Sequence, residues 1–241
     1  MNVSAFLPLK GQSERIPAKN TKVLGGKPLF FHILESLLNA KRVSQVVIDT
    51  DSDYIFKLTQ ESFSSVQVKM RPDKILGAKV PMSPLLRWNC QYFESEHFIQ
   101  VHATTPFLKP ETIDRAIDQY FSKLGTHDSL FGVTPYQTRF YDSEFKPINH
   151  NPEVMVPSQD MPPIFEDNSC LYLISKEKFL ATDKRIGDNP QLFGISKIES
   201  IDLDEKEDFI IAEAVWEHLN KGWNYGTEQA QDRDRIMDNA P

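Results

Sequence analysis

Two rhythms of apolar residues take turns along the chain. Short runs of aliphatic and β-branched residues, such as Val3, Ala5, Phe6, Leu7 and Leu9, read as buried strands. Between them lie stretches with apolar residues every three or four positions, the period of an amphipathic helix. After the first strand Gly25-Gly26 predicts a turn, Pro28 fits a first helical position, and Leu29, Ile33, Leu34, Leu37 and Leu38 give the helix a buried face. The same reasoning predicts strands over 43–49, 66–70, 97–102, 129–134, 170–174 and 195–198, and helices over 53–61, 84–93, 111–123, 176–181 and 205–219. The expected architecture is α/β in three layers, a mostly parallel sheet flanked by helices. Ligands in such sheets settle beyond the carboxyl ends of the strands, which gathers Lys10, Asp51, His102 and Thr104 at one edge.

The rhythm stops between 135 and 163, where Pro135, Pro147, Pro152, Pro157, Pro162 and Pro163 interrupt any regular element. Tyr136, Phe140, Tyr141 and Phe145 argue against a disordered linker, because large aromatic side chains are held against something. The segment is expected to protrude as an arm that packs on a second subunit, giving a homodimer. The chain has 241 residues, of which 40% are hydrophobic, enough for one sizeable core. A single domain over 1–225 that includes the arm at 135–163 is expected, followed by a tail over 226–241 with the alternating charges of Asp232-Arg233-Asp234-Arg235. No run of about 18 apolar residues and no secretory pattern occurs, so a cytoplasmic protein without a membrane span is expected. Cys90 and Cys170 are too few for a disulfide framework and lack metal-ligand spacing.

Charge points to the chemistry. Residues 1–42 hold seven Lys or Arg against two Glu, a net of +5 in a chain of −7, so the remainder carries −12. A local cationic patch on an acidic chain suits a small polyanion rather than duplex nucleic acid. The patch centres on Lys10, Arg15 and Lys19, in a polar loop just past the first strand, with Gly11 and Ser13 among them. Glycine there lets the backbone turn so that amides face a bound phosphate. Near the other end, Asp202 and Asp204 are separated by one residue before a helical stretch. In extended backbone they project to the same side and suit Mg²⁺, although Asp204 also reads as a simple helix cap. A phosphate loop and an acidic pair together specify a nucleotide triphosphate with a divalent ion.

In several ordered blocks the sequence resembles the CMP-sialic acid synthetases, also called acylneuraminate cytidylyltransferases. LPLKGQSERIPAKN followed by LGGKPL is similar to that family's N-terminal loop, where Ser13, Ile16, Pro17, Lys19 and Asn20 match. VVIDTDSDYI is similar to its strand ending in Ser-Thr-Asp, FIQVHATTPFLKPETIDRAI to its Gln-Pro-Thr-Ser-Pro segment, IFEDNSCLYLI to its Asn-Gly-Ala-Ile-Tyr segment, and SIDLDEKEDFIIAEA to its Asp-Ile-Asp metal motif. The resemblance implies a nucleotide-diphospho-sugar transferase-like fold and a reaction in which a 2-keto sugar acid, sialic-acid-like or Kdo-like, attacks the α-phosphate of CTP. It implies nucleotide binding by Lys10, Gly11, Ser13, Arg15, Lys19, Asn20, His102 and Thr104, and catalysis by Lys10, Arg15, Lys19 and Asp202. It also implies sugar contacts from His102, Thr104 and Asn168, and Mg²⁺ held by Asp202 and Asp204.

This chain departs from the family pattern at Lys10, where Arg is usual, at Glu14, where Lys is replaced and the cation moves to Arg15, and at His102 in place of Gln. Asp142, Ser158 and Glu166 stand where cations associated with the sugar acid are expected, which favours an amino-bearing or otherwise modified acid. The competing readings are a degenerate nucleotide-binding relative without turnover and a metal-dependent glycosyltransferase, whose acidic pair normally lies mid-chain.

Overall fold

The computed structural model describes residues 1–77 and 79–220. The tail expected over 226–241 lies outside the described residues. Seven strands form the main sheet, labelled β1 (Val3–Leu9), β4 (Val43–Thr50), β5 (Gln67–Met70), β6 (His97–Val101), β7 (Ser129–Tyr136), β8 (Ile164–Ser175) and β9 (Pro190–Gly194), in the order β5-β4-β1-β6-β8-β7-β9. Only β8 runs antiparallel to its neighbours, so the expected mostly parallel sheet is what forms. A two-residue turn at Gly25-Gly26 joins the short strands β2 (Val23–Leu24) and β3 (Lys27–Pro28). Both glycines have positive φ, as such a turn requires, and a Cβ on Gly25 would stand 2.1 Å from the Trp216 ring.

The helices are α1 (Leu29–Asn39), α2 (Asp53–Ser62), α3 (Met82–Asn89), α4 (Pro110–Ser122), α5 (Lys176–Thr182) and α6 (Lys206–Asn220). Side chains from α1, α2 and α4 pack one sheet face through Phe30, Ile33, Ile55, Ile113 and Ile117. On the opposite face Leu85 and Leu86 of α3 and Phe179 of α5 meet Phe6, Val47, Phe98 and Ile174. This is the expected three-layer arrangement. A third, smaller cluster closes the carboxyl edge, where Leu24, Leu29 and Ile16 pack on Leu203, Phe209 and Ala212 and tie the first turn of the fold to the last helix.

Three expectations are corrected. Pro28 is not helical: it pairs with Val23 in the hairpin and precedes α1 with extended backbone. The last strand is Pro190–Gly194 rather than 195–198. It is an outer strand parallel to β7, and an edge tolerates proline at its first residue, so Pro190 and Gly194 mask a pairing that Ile195 and Ile198 only imitate. β8 begins at Ile164, not near Cys170, because Phe165, Glu166 and Asp167 pair with Pro135, Thr134 and Val133 before the register jumps. Ser169 takes a left-handed φ of 57° at that bulge.

The pairing of Tyr136 with Ile164 brings the two ends of the arm together. Between them the chain makes one isolated bridge, Tyr141 with Pro147, and a short turn at Ser158–Asp160. Phe145 and Met155 are 87% and 93% exposed, with Tyr141, Ile148 and Val154 also exposed, an apolar display within the segment between β7 and β8.

Candidate active site

The strand order changes direction between β1 and β6, since β4 and β5 lie on one side of β1 and β6 on the other. A crevice opens at such a switch point, outside the carboxyl ends of the strands. Here it is a cleft of about 340 Å³ bordered by Pro8, Lys10, Gln12, Ser13, Glu14, Arg15, Lys19, Asn20, Arg71, Met82, Leu85, His102, Ala103 and Thr104. Lys10, Ser13, Arg15, Lys19, Asn20, His102 and Thr104, all singled out from the sequence, therefore share one cavity.

Local chemistry explains how the loop is held. The backbone N–H of Gly11 donates to Asp51 Oδ1 at 2.6 Å, and Asn20 Nδ2 donates to the carbonyl of Lys10 at 2.8 Å. Gly11 does not adopt a positive φ; what it needs is room, because a Cβ would stand 2.7 Å from Ser52 Cβ and 3.3 Å from Asp51 Oδ1. The left-handed residue is Ala18, φ 51°, which sends the chain into a short helical turn starting at Lys19. Lys19 is thereby turned inward, 9% exposed, and donates to the Leu203 carbonyl at 2.8 Å and to Asp204 Oδ1 at 2.9 Å.

Asp204 is the junction between the two ends of the sequence. Its Oδ2 pairs with Arg15 Nη2 at 2.8 Å, and Arg15 Nη1 reaches Glu205 at 3.0 Å. Asp204 has its pKa lowered, against a burial effect that raises it, by Lys19 and then Arg15. Asp202 behaves oppositely: burial raises its pKa, with the Thr104 hydroxyl bonding its carboxylate and the charge of Asp204 close by. Its Oδ1 is buried without a hydrogen-bond partner among the described residues. Among the described residues no cluster of three or more His, Cys, Asp or Glu is placed to hold a metal ion. Mg²⁺ needs only one or two carboxylates when phosphates and water complete its shell. An orphaned Asp202 oxygen beside Asp204 fits that requirement.

His102 hangs from the end of β6 in a network whose polarity can be read without ambiguity. Arg185 Nη1 lies 3.3 Å from Gln100 Oε1, and because a guanidinium only donates, the amide nitrogen of Gln100 faces His102 Nε2 at 2.8 Å. Nε2 therefore accepts, and the ring proton sits on Nδ1. Burial, with the charges of Arg185 and Lys19, drops the His102 pKa to about 4, so the ring is a neutral N–H donor and a weak base.

Asn168 is placed elsewhere. Its Nδ2 donates to Thr134 Oγ1 at 3.1 Å and its Oδ1 accepts the Cys170 N–H at 3.2 Å, so both ends serve the β7–β8 bulge and neither borders the cleft. Sequence reasoning missed Arg71 and Arg185. Arg71 is buried against Asp49 at 2.7 Å, and Asn89 holds the other Asp49 oxygen at 2.8 Å. A cation directly after a strand was the available signal for Arg71. Arg185 sits in a loop with no strand or motif to mark it.

Against this geometry the cytidylyltransferase family matches residues 5–224, nearly the whole chain. The chain belongs to that family. This cytidylyltransferase is 26% identical to the CMP-N,N'-diacetyllegionaminic acid synthase of Legionella pneumophila over 90% of its own length and 97% of the relative's. It is 24% identical to the pseudaminic acid cytidylyltransferase of Campylobacter jejuni over 88% of the chain and 94% of that protein. An N-acylneuraminate cytidylyltransferase of Streptococcus agalactiae is 23% identical over 87% of the chain, which spans only 52% of that longer protein. Among solved structures, CMP:2-keto-3-deoxy-manno-octonic acid synthetase complexed with CTP superposes with a TM-score of 0.69 over 90% of this chain and 99% of the other at 12% identity, showing a shared fold. Among the described residues no helix is long and apolar enough to cross a membrane.

Proposed function

We propose that this cytidylyltransferase activates a sialic-acid-like or Kdo-like 2-keto sugar acid with CTP. The observation that supports the reading is the contact of Lys19 and Arg15, from the first loop, with Asp204, from the last: residues about 185 positions apart bring cations and a carboxylate to one edge. The relatives named above act on sugar acids of this class.

In the reaction the anomeric hydroxyl oxygen bonds to the α-phosphorus as the bond to the bridging oxygen breaks, pyrophosphate leaves, and the hydroxyl proton passes to water. The protein's work is to hold these oxygens in line and to neutralise charge. Lys10, Arg15 and Lys19, with Ser13 and Asn20, receive the triphosphate, while the Gly11 amide, bonded to Asp51, holds the loop in place. Arg15 and Lys19 meet it by exchanging Asp204 for phosphate oxygens, which frees the Asp204 carboxylate. Asp202 and Asp204 would hold Mg²⁺, which when bound neutralises charge on phosphate oxygens. His102 presents Nδ1–H to the nucleotide or sugar, and Thr104 steadies Asp202. We place the enzyme in the cytoplasm, as a homodimer joined through the exposed apolar arm.

The acceptor is proposed to carry an amino or otherwise modified substituent. Glu166 offers an exposed carboxylate beside Tyr136, whereas Asp142 is committed to the backbone amides of Glu144 and Lys146. Pyrophosphate release with CTP, Mg²⁺ and a panel of 2-keto sugar acids tests the function. Release no faster with any acid than with CTP alone refutes it, and activity on plain N-acetylneuraminate with none on amino-substituted acids refutes the substituent.

A further inference from the structure

Register places four neighbouring strands in order across one sheet face. Phe6 pairs with Val47 and with Gln100, and Gln100 pairs with Tyr172, so Asp49, Pro8, Gln100 and Tyr172, each an even step from a residue of the α3/α5 core, share that face. The cleft lies at the ends of these strands, bordered by Arg71 on one side and by His102 on the other, and the Arg185 guanidinium stands behind His102. Arg71 on the β4 side is neutralised by Asp49. Arg185 on the β8 side is not.

The half-buried Arg185 guanidinium touches only neutral groups. It lies over the Tyr172 ring with its central carbon 3.7 Å from the centroid, donates to the Tyr172 hydroxyl at 3.0 Å and to Gln100 Oε1 at 3.3 Å, and stands 3.4 Å from His102 Nε2. Among the described residues no carboxylate comes within 4.0 Å of it, unlike Arg15 and Arg71, which line the cleft. The Tyr172 hydroxyl gives its proton to Asp167 Oδ1 at 2.7 Å, which turns its lone pairs toward Arg185 and fixes the ring beneath it. A guanidinium partly removed from water, oriented by a stacked ring and holding unused N–H donors, is prepared for a planar anion.

The arm's two cations, Arg139 and Lys146, are directed to groups within the arm. Asp142, Ser158 and Glu166 are not basic, Arg139 donates to the Val156 carbonyl, and Lys146 pairs with Glu144. Resting on the function proposed above, we infer that Arg185 binds the carboxylate of the 2-keto sugar acid, with His102 linking that subsite to the nucleotide. The acid then enters from the β8 side, and its anomeric centre faces the α-phosphate across His102.

The test compares wild type, R185A and R185K in pyrophosphate release with CTP, Mg²⁺, a 2-keto sugar acid and the same sugar as its C1 amide. In R185A the sugar-acid KM rises about tenfold or more, the CTP KM stays within about twofold, and the preference for acid over amide collapses, with partial return in R185K. An acid-over-amide preference in R185A equal to wild type overturns the inference while leaving the function intact. A CTP KM that rises in place of the sugar KM overturns it too, by putting phosphate at Arg185. If wild type turns over none of the acids, the function fails and this assignment falls with it. Thermal unfolding of R185A and R185K accompanies the kinetics, so that misfolding is recognised and the lysine variant decides.

Discussion

Replacing His102 by glutamine removes a proton-binding group while keeping the contacts, and its effect on stability can be worked out. In the folded protein the ring titrates near pH 4, against 6.5 for the model side chain, because burial and the charges of Arg185 and Lys19 disfavour the imidazolium. As pH falls through 6.5 the unfolded chain takes up a proton that the folded chain refuses, so stability present above 6.5 is lost progressively down to about 4 and is flat below. At about pH 5 the loss relative to about pH 7.5 is about 2 kcal/mol, an upper figure because the ring is only partly shielded from water. The glutamine side chain of His102→Gln keeps an acceptor for the Gln100 amide and an N–H for the cleft but cannot titrate. His32 and His97, whose pKa values burial also lowers, are present in both proteins and cancel in the comparison. Urea unfolding followed by tryptophan fluorescence at the two pH values should show wild type losing about 2 kcal/mol more than His102→Gln. Equal losses in the two proteins refute the buried neutral ring.

The acidic pair should divide its roles. Asp202→Asn is expected to abolish the Mg²⁺ dependence of turnover yet leave metal-free stability unchanged or higher, since burial already disfavours that carboxylate; a lower thermal midpoint without Mg²⁺ would contradict the reading. Lys19→Met should lower kcat/KM by about 100-fold or more while folding is retained, and a variant within about threefold of wild type in pyrophosphate release would remove Lys19 from the chemistry. Gly11→Ala forces a carbon to within 2.7 Å of Ser52 and disturbs the Gly11–Asp51 bond, so CTP binding measured by calorimetry should weaken markedly. Arg71→Met leaves Asp49 buried without its charge partner and should cost about 3–5 kcal/mol in chemical denaturation. If the proposed dimer forms through the arm, Phe145→Ser with Met155→Ser should shift wild-type dimer to monomer in sedimentation analysis, and an unchanged mass would exclude the arm's tip from the subunit contact.

Periodicity in the sequence was enough to set out the α/β layering, because a face that must be buried writes its period into the chain: 2 for a strand, 3.6 for a helix. Val3–Leu9, α1 and α4 are legible for that reason. So is the first loop, since Lys10, Arg15 and Lys19 are concentrated within ten residues and need no partner to be noticed. Where pairing decides, the pattern misleads: β9 begins with Pro190 and is a strand only because β7 lies beside it, and the bonds of Asn168 to Thr134 and Cys170 at the bulge could not be read from its position in the chain. Long-range electrostatics belongs to the same class. That Lys19 meets Asp204, that Asp202 keeps an oxygen without a partner, and that Arg185 leans over Tyr172 toward His102 follow from contacts between residues far apart in sequence. Local composition fixes what a segment prefers, whereas the charge and proton state of each group in the cleft depend on which distant group the folded backbone sets beside it.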